Sequence, residues 1–476
     1  MDHLLWALLI AGAGGFSLVS AGHALIWKRD PRSALGWIMI CLTLPLAGPF
    51  LYWCMGVNRI RRTAQHWHES GRRLEGRAAF SVRPQPEAPD LPQHGLHLAE
   101  LRALADRVVS TQLLAGNLLV PLKNGEHAYP AMLSAIEGAR HSVNLSTYIF
   151  DSDEVGRRFV AALCAAADRG VEVRVIIDCL GEKYSRPFAR RLFRGSRVKV
   201  GGFLPLRQGI YVNLRNHRKV LVVDGEKGFT GGMNIGRRHL VERKPPPPPV
   251  KDLHFMVTGP AVTDLQRVFL EDWHFVAGEL VDDASFFPPQ PAVGPALARV
   301  ISDGPDKEMR QLHWVVMGAL ACARREVAIM TPYFIPDRPL LAALVTAALR
   351  GVAITLVLPG CNNLPYVHWA TRAYLWELLQ QGIRVFYQPP PFVHTKMLLV
   401  DGVWSLIGSA NLDPRSLRLN FELDLEVYDA DFCGRLNDHF DATLLLSREV
   451  SLEEMDARSL PEKLRDGAAK LFSPYL

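Results

Sequence analysis

The chain has few cysteines, and none is placed for a structural role: Cys41, Cys54, Cys164, Cys179, Cys322, Cys361 and Cys433 form no C-x-x-C pair and stand at no zinc-type spacing to histidine. A disulfide scaffold and a structural metal cage are therefore excluded, and reduced thiols with no metal are expected. No G-x-x-x-x-G-K-[ST], H-E-x-x-H or G-x-S-x-G segment occurs, which removes support for nucleotide, zinc-protease and serine-hydrolase readings. An excess of one charge is lacking too. With 54 Lys and Arg against 48 Asp and Glu, the net +6 is too weak by itself to indicate a nucleic-acid partner. The 37 glycines and 33 prolines are too few for a low-complexity polymer, and 49% hydrophobic residues exclude a wholly disordered chain. At about 150 residues per domain, the length corresponds to roughly three folded units.

Long uncharged runs are present, and both lie at the start. Leu4 to Trp27 and Ala34 to Val57 carry no charged residue, and each exceeds the ~20 residues that cross a bilayer. They predict an α-helical transmembrane hairpin over residues 1–62. A signal peptide followed by a buried helix is the alternative, weakened because Asp2-His3 is no basic n-region. The connector holds Lys28, Arg29 and Arg32, whereas Arg59, Arg61, Arg62, Arg72, Arg73 and Arg77 follow the second span; the positive-inside rule then favours a cytoplasmic body. Pro45 and Pro49 leave a kinked or partly re-entrant pair open, and Ala11 with Gly15 offers a site of close helix approach. Residues 63–92, with Pro84, Pro86, Pro89 and Pro92, read as an extended linker.

From Gln93 the pattern repeats. Ser142 to Phe150 reads as a strand, Val155 to Arg169 as a helix and Val171 to Asp178 as a strand. Val327 to Ile335, Arg338 to Arg350 and Val352 to Pro359 give the same order. Arg169-Gly170-Val171 is echoed by Arg350-Gly351-Val352. The reading is an α/β body of two fused, pseudo-symmetric halves containing βαβ units, 93–290 and 291–476.

The chemistry repeats with it. His217-x-Lys219 is followed by Asp224, and His394-x-Lys396 by Asp401, in each case with seven residues from His to Asp. Gly231-Gly232 and Gly408-Ser409 follow at equal distances, and Asn234 and Asn411 each lie 17 residues after their histidine. On a strand, residues i and i+2 share a face. Imidazole can then act as nucleophile or proton shuttle while ammonium donates to anionic oxygen. Gly232 and Ser409 would let a ligand approach, and Asn234 and Asn411 would add neutral donors, so these four are candidate phosphate-binding residues. Asp224 and Asp401 complete the candidate catalytic set by pattern, although a strand end before glycine favours a turn or scaffold role. The strand Asn420 to Val427 is expected to be half-buried, with Asn420, Glu422, Asp424 and Glu426 on one face. Asp252 and Glu422 are candidate histidine-orienting carboxylates, Asp252 assigned to His217 and Glu422 to His394 by spacing within each half. Tyr366, Trp369 and Trp376 are read as core or interface contacts.

The two motifs resemble those of the phospholipase D superfamily, as does Asn411-Leu412-Asp413-Pro414-Arg415-Ser416 with Asn420 and Glu422. The Leu44-Pro45-Leu46-Ala47-Gly48-Pro49 text, Thr331-Pro332-Tyr333-Phe334 and the closing Ser473-Pro474-Tyr475-Leu476 are similar to bacterial cardiolipin synthases of the two-span type. The run Pro245 to Pro249 departs from the mixed loop more usual there. The resemblance implies a metal-free and cofactor-free ping-pong transfer in the bacterial inner membrane, with a phosphohistidine on His217 and His394 as general acid. It also implies phosphatidylglycerol as donor and acceptor, anionic lipid as partner, and no nucleic acid. A hydrolase, a transferase using another alcohol, and a nuclease share the motifs.

Overall fold

The computed structural model describes residues 2–28, 30–56, 89–204, 214–242, 248–305 and 310–473. The basic collar at Arg59 to Arg77, most of the linker, Pro245 to Pro247 and the final Pro474-Tyr475-Leu476 lie outside the described residues. The chain divides into two compact units, Met1–Gly71 and Arg72–Leu476.

Among the described residues of the first unit one helix, Asp2–Trp27, is long and apolar enough to cross a bilayer. The second apolar stretch is broken. Its helix, Pro31–Thr43, is capped by Asp30 and has 13 residues, about 20 Å at 1.5 Å per residue, short of the ~30 Å hydrocarbon core. Leu46 takes φ 77° and the chain turns back into the short helix Ala47–Leu51. A side chain on Gly48 would meet the Ile40 carbonyl at 2.1 Å. Among the described residues the second stretch is thus a broken helix and not one straight span. The helices meet at Ala21, Ala24, Cys41 and Tyr52, where His23 Nδ1 lies 2.7 Å from Tyr52 Oη and Trp53 Nε1 donates to Ser20 Oγ. Ala11 is exposed and nothing approaches Gly15, so the helices approach nearly three turns farther along, at Ala21 and Ala24.

The second unit is built on a 16-stranded mixed sheet. Its centre is the antiparallel pair Leu114–Lys123 and Ala296–Asp303. Outward from Leu114–Lys123 run Leu253–Thr258, Lys227–Gly231, Val220–Val223, Ser142–Thr147, Glu172–Asp178 and Lys199–Phe203. Outward from Ala296–Asp303 the same order is met in Asn420–Tyr428, Trp404–Gly408, Met397–Val400, Glu326–Met330, Ala353–Pro359 and Arg384–Gln388. Parallel pairs, Ser142–Thr147 with Glu172–Asp178 and Glu326–Met330 with Ala353–Pro359, are joined by the helices Glu154–Asp168 and Arg338–Leu349. The expected strand-helix-strand units are present to within a few residues, apart from the strands' C-terminal ends at Phe150 and Phe334, which are reduced to single bridges.

The echo at Arg169 and Arg350 has a structural cause. Gly170 and Gly351 take φ 93° and 90° after their helices, the left-handed stop that glycine accepts. The preceding arginines fold back onto carbonyls of the neighbouring helix end, Arg169 onto Ile136, Glu137 and Ala139 and Arg350 onto Leu320, Ala321 and Ala323. One assignment by sequence order changes. The helix Ala99–Val108 packs Leu98, Leu101 and Ala105 into the core formed by Leu312, Val315 and Ala319 of the second half.

Candidate active site

Each H-x-K pair enters the sheet through an apolar strand, Val220–Val223 or Met397–Val400, which ends in an Asp-Gly turn. Both turn residues have positive φ, 53° and 67° at Asp224-Gly225 and 53° and 69° at Asp401-Gly402, the geometry of a tight hairpin. The aspartates leave the site entirely. Asp224 accepts the backbone N–H groups of Arg140, His141 and Ser142. Asp401 accepts those of Arg324, Arg325 and Glu326, and its Oδ2 lies 2.7 Å from His97 Nε2. Their place in the candidate catalytic set is corrected: they tie loops together.

The histidines converge from opposite halves, with ring centroids 6.4 Å apart and planes at 79°. That separation admits one tetrahedral phosphorus. His217 Nδ1 lies 2.9 Å from Glu422 Oε2, and His394 Nδ1 lies 2.9 Å from Asp252 Oδ2. The pairing expected from spacing is thus reversed, and the backbone shows why. Arg215-Asn216 forms a short parallel pair with Asn420-Phe421, and His217 N–H donates to Phe421 O. Val250-Lys251 pairs likewise with Phe392-Val393, and His394 N–H donates to Lys251 O. Each histidine is threaded onto the other half's strand one residue before that half's carboxylate.

The small residues serve these carboxylates. Ser409 Oγ donates to Glu422 Oε2 at 2.6 Å, and Asn420 Nδ2 donates to Oε1 at 3.0 Å. A side chain on Gly232 would lie 2.4 Å from Asp252 Oδ1. The expectation that Gly232 and Ser409 bind phosphate is replaced by these roles. Asn234 Oδ1 accepts Ile149 N–H, whereas Asn411 Nδ2 donates to Ser416 Oγ at 3.1 Å.

Lys219 and Lys396 are buried beside the imidazoles. Their Nζ atoms donate to the carbonyls of His217 and His394 at 2.5 Å, and Lys396 Nζ also stands 2.8 Å from His394 Nδ1. Burial pushes the ammonium groups down to about 7 for Lys219 and about 8 for Lys396, against the attraction of Glu422 and Asp252. Burial also pushes His217 down to about 4, opposed by Glu422 and helped by Lys219. His394 is held well below its usual value by burial, then by Lys396, Lys219 and His217. Burial alone would raise Glu422, but His217, Lys219 and Ser409 outweigh it and hold the carboxyl below its usual range. Asp252 moves up, burial prevailing over Lys396. Near neutral pH both imidazoles are therefore uncharged. A carboxylate on Nδ1–H fixes the tautomer that leaves Nε2 with its lone pair.

Several site residues gave no individual signal. Arg218, between His217 and Lys219, reaches Glu422 O, Asp272 and Ser302 and so fastens the carboxylate's strand. Tyr148 stands 5.4 Å from the His217 ring, and Tyr333 and Phe392 stand 6.4 and 6.0 Å from His394. In the strand Asn420–Tyr428 every residue is buried, not alternate ones, because helices cover both faces. Asp424 lines a cavity of about 30 Å³ with Lys396, and burial, with Glu422 nearby, pushes its carboxyl up to about 8.

Two facing imidazoles, two lysines and a pair of exchanged carboxylates are groups with which covalent transfer at an anionic phosphorus can be carried out. Comparison with known proteins agrees. The family model "Cardiolipin synthase, PLD-like domain" matches residues 132–273 and 316–444, and "Phospholipase_D-nuclease N-terminal" matches residues 15–56. The chain belongs to the cardiolipin synthase family of the phospholipase D superfamily. Among cardiolipin synthases, it is 34% identical over 475 residues to cardiolipin synthase A of Pseudomonas aeruginosa, covering 98% of this chain and 96% of that one. It is 32% identical over 459 residues to the cardiolipin synthase of Oceanobacillus iheyensis, covering 94% and 95%. The phosphatidylserine synthase structure of Haemophilus influenzae shares the fold, with TM-score 0.61 and 15% identity over 79% of this chain and 100% of that one.

Proposed function

We propose that this family member joins two phosphatidylglycerol molecules into cardiolipin and releases glycerol, through a phosphatidyl group carried on His217. The observation that carries the reading is the facing pair His217 and His394, each braced by the other half's carboxylate. In the first step His217 Nε2 attacks phosphorus, the bond to the glycerol oxygen breaks, and His394 gives that oxygen a proton. The anionic phosphodiester between the rings offsets the burial and lysine charge that keep His394 neutral, so His394 can enter this step protonated. In the second step His394 takes the proton from a hydroxyl of the incoming phosphatidylglycerol. That oxygen attacks phosphorus and the P–N bond breaks. Lys219, Lys396 and Asn234 hold the phosphoryl oxygens throughout.

The assignment of His217 as nucleophile is supported by the electrostatic difference between the carboxylates. Glu422, held ionised, compensates the cation that a phosphohistidine creates, whereas Asp252 is pushed toward its neutral form. The halves, 93–290 and 291–476 in sequence order, act as two repeats around one site, with the helix Ala99–Val108 of the first packed on the core of the second. The N-terminal unit, with one bilayer-length helix and one broken helix, anchors the chain in the bacterial inner membrane with the catalytic body cytoplasmic.

Purified full-length protein incubated with phosphatidylglycerol alone is expected to form cardiolipin and glycerol in equal amounts. Phosphatidic acid as the only product would overturn the transferase reading in favour of a hydrolase.

A further inference from the structure

The C-terminal helix Leu460–Leu471 is amphipathic in the reverse sense for a surface helix. Its one buried residue is charged: Asp466, 1% exposed, is held by Arg458 and Arg465 at 2.9 and 2.7 Å, with Arg372 at 3.4 Å. Its outward face carries Leu460, Leu464 and Leu471, 70%, 65% and 78% exposed, continued by Phe472 at 56%. Positions 460, 464 and 471 recur at helical spacing, with the small residues Gly467 and Ala468 also exposed between them. The helix is firmly placed despite this. A capping box joins Ser459 and Glu462 at its start, Ala469 packs on the core, and Lys470 lies over the Tyr374 ring at 4.1 Å.

A soluble protein gains nothing from presenting four large apolar side chains on an anchored helix. We propose that this face docks the catalytic body on an anionic bilayer, with Leu460, Leu464, Leu471 and Phe472 entering the headgroup and acyl boundary. Charge complements this occupant. The helix carries Lys463, Arg465 and Lys470 against Glu462 and Asp466; Asp466 is spent inward on arginines, Glu462 is engaged in the cap, and Lys463, donating to Asp456 O, stays exposed. Trp376, on the helix that carries Arg372, is 41% exposed with its Nε1 bonded to Asp456, the half-wet placement that suits an aromatic ring at a membrane interface. The inference rests on the reading that the substrate is a bilayer lipid.

The test uses the full-length protein in vesicles of phosphatidylglycerol, with Leu464 replaced by the photocrosslinker benzoylphenylalanine. Irradiation should give an adduct of phosphatidylglycerol mass at position 464, and none when the exposed Leu118 carries the same group. Adducts to residues 2–56 of the same chain, to a second copy, or to no lipid at all would overturn the proposal. A second variant, Leu460→Ser with Leu464→Ser and Leu471→Ser, should keep its rate on a short-chain monomeric phosphatidylglycerol and lose about tenfold on vesicles. Equal rates on vesicles would also overturn it. Crosslinking needs no turnover, so failure of the docking face and failure of the transferase reading give different results.

Discussion

His217 and Glu422, 205 residues apart and in different halves, meet at 2.9 Å, and His394 and Asp252 meet in the mirror arrangement. Neither half therefore holds a complete histidine–carboxylate pair. The two repeats are joined chemically at the site as well as through the central strand pair, and the consequences can be separated by mutation.

Glu422→Gln should slow formation of the covalent intermediate, because it removes the charge that stabilises the His217 cation; a loss of about 10²- to 10⁴-fold is expected from comparable carboxylate–imidazole pairs. Asp252→Asn should act on the steps that move a proton through His394. Single-turnover rates of intermediate formation and breakdown check this, and equal effects of the two variants on both steps would contradict the crossed pairing.

Gly232→Ala places a methyl group 2.4 Å from Asp252 Oδ1, so it should disturb the His394 side while leaving the His217–Glu422 contact intact. Ser409→Ala removes a hydrogen bond from Glu422, a change of about 1–2 kcal/mol, and should lower kcat by roughly tenfold. Rates measured beside melting temperatures would show whether either substitution acts through stability instead.

Asp224→Ala and Asp401→Ala should destabilise without touching the chemistry. Each strips three backbone N–H groups of their acceptor, a loss of about 2–4 kcal/mol. Denaturant unfolding should show it, and the folded fraction should keep a near-normal turnover. A fall in turnover with no loss of stability would return these residues to the catalytic set.

The motif, its repetition and the strands that carry it were all legible in the sequence, because strand patterning and turn chemistry are local. Asp-Gly with positive φ is an example. What was not legible is which strand lies beside which. The two-residue pairing of Arg215-Asn216 with Asn420-Phe421 has no periodicity to announce it, yet it decides that Glu422 serves His217. Ser409 and Gly232 were misread for the same reason: their partner is a side chain from a neighbouring strand. Tyr366 and Trp376 are 44% and 41% exposed, which helical spacing alone could not distinguish from burial.

Activity should fall on the alkaline side. Lys219 and Lys396, lowered to about 7 and about 8, lose the charge that grips phosphate as pH rises through that range. Their effect on stability has the opposite sign. Between about 7 and their unfolded value near 10.4 the unfolded chain binds more protons, so the lysine contribution rises with pH. A pH–rate profile and a pH series of unfolding free energies, with Lys219→Met for comparison, check both. Activity that stays level from pH 7 to 9 would contradict the role given to the lysines.

The most direct measurement is to trap the intermediate. Full-length protein mixed with phosphatidylglycerol, quenched in base and mapped by mass spectrometry, should carry the phosphatidyl group on His217. The adduct should be absent in His217→Ala, and should form only slowly in His394→Ala, which lacks the acid for the departing glycerol. A phosphohistidine found on His394, or none in any variant, would contradict the account.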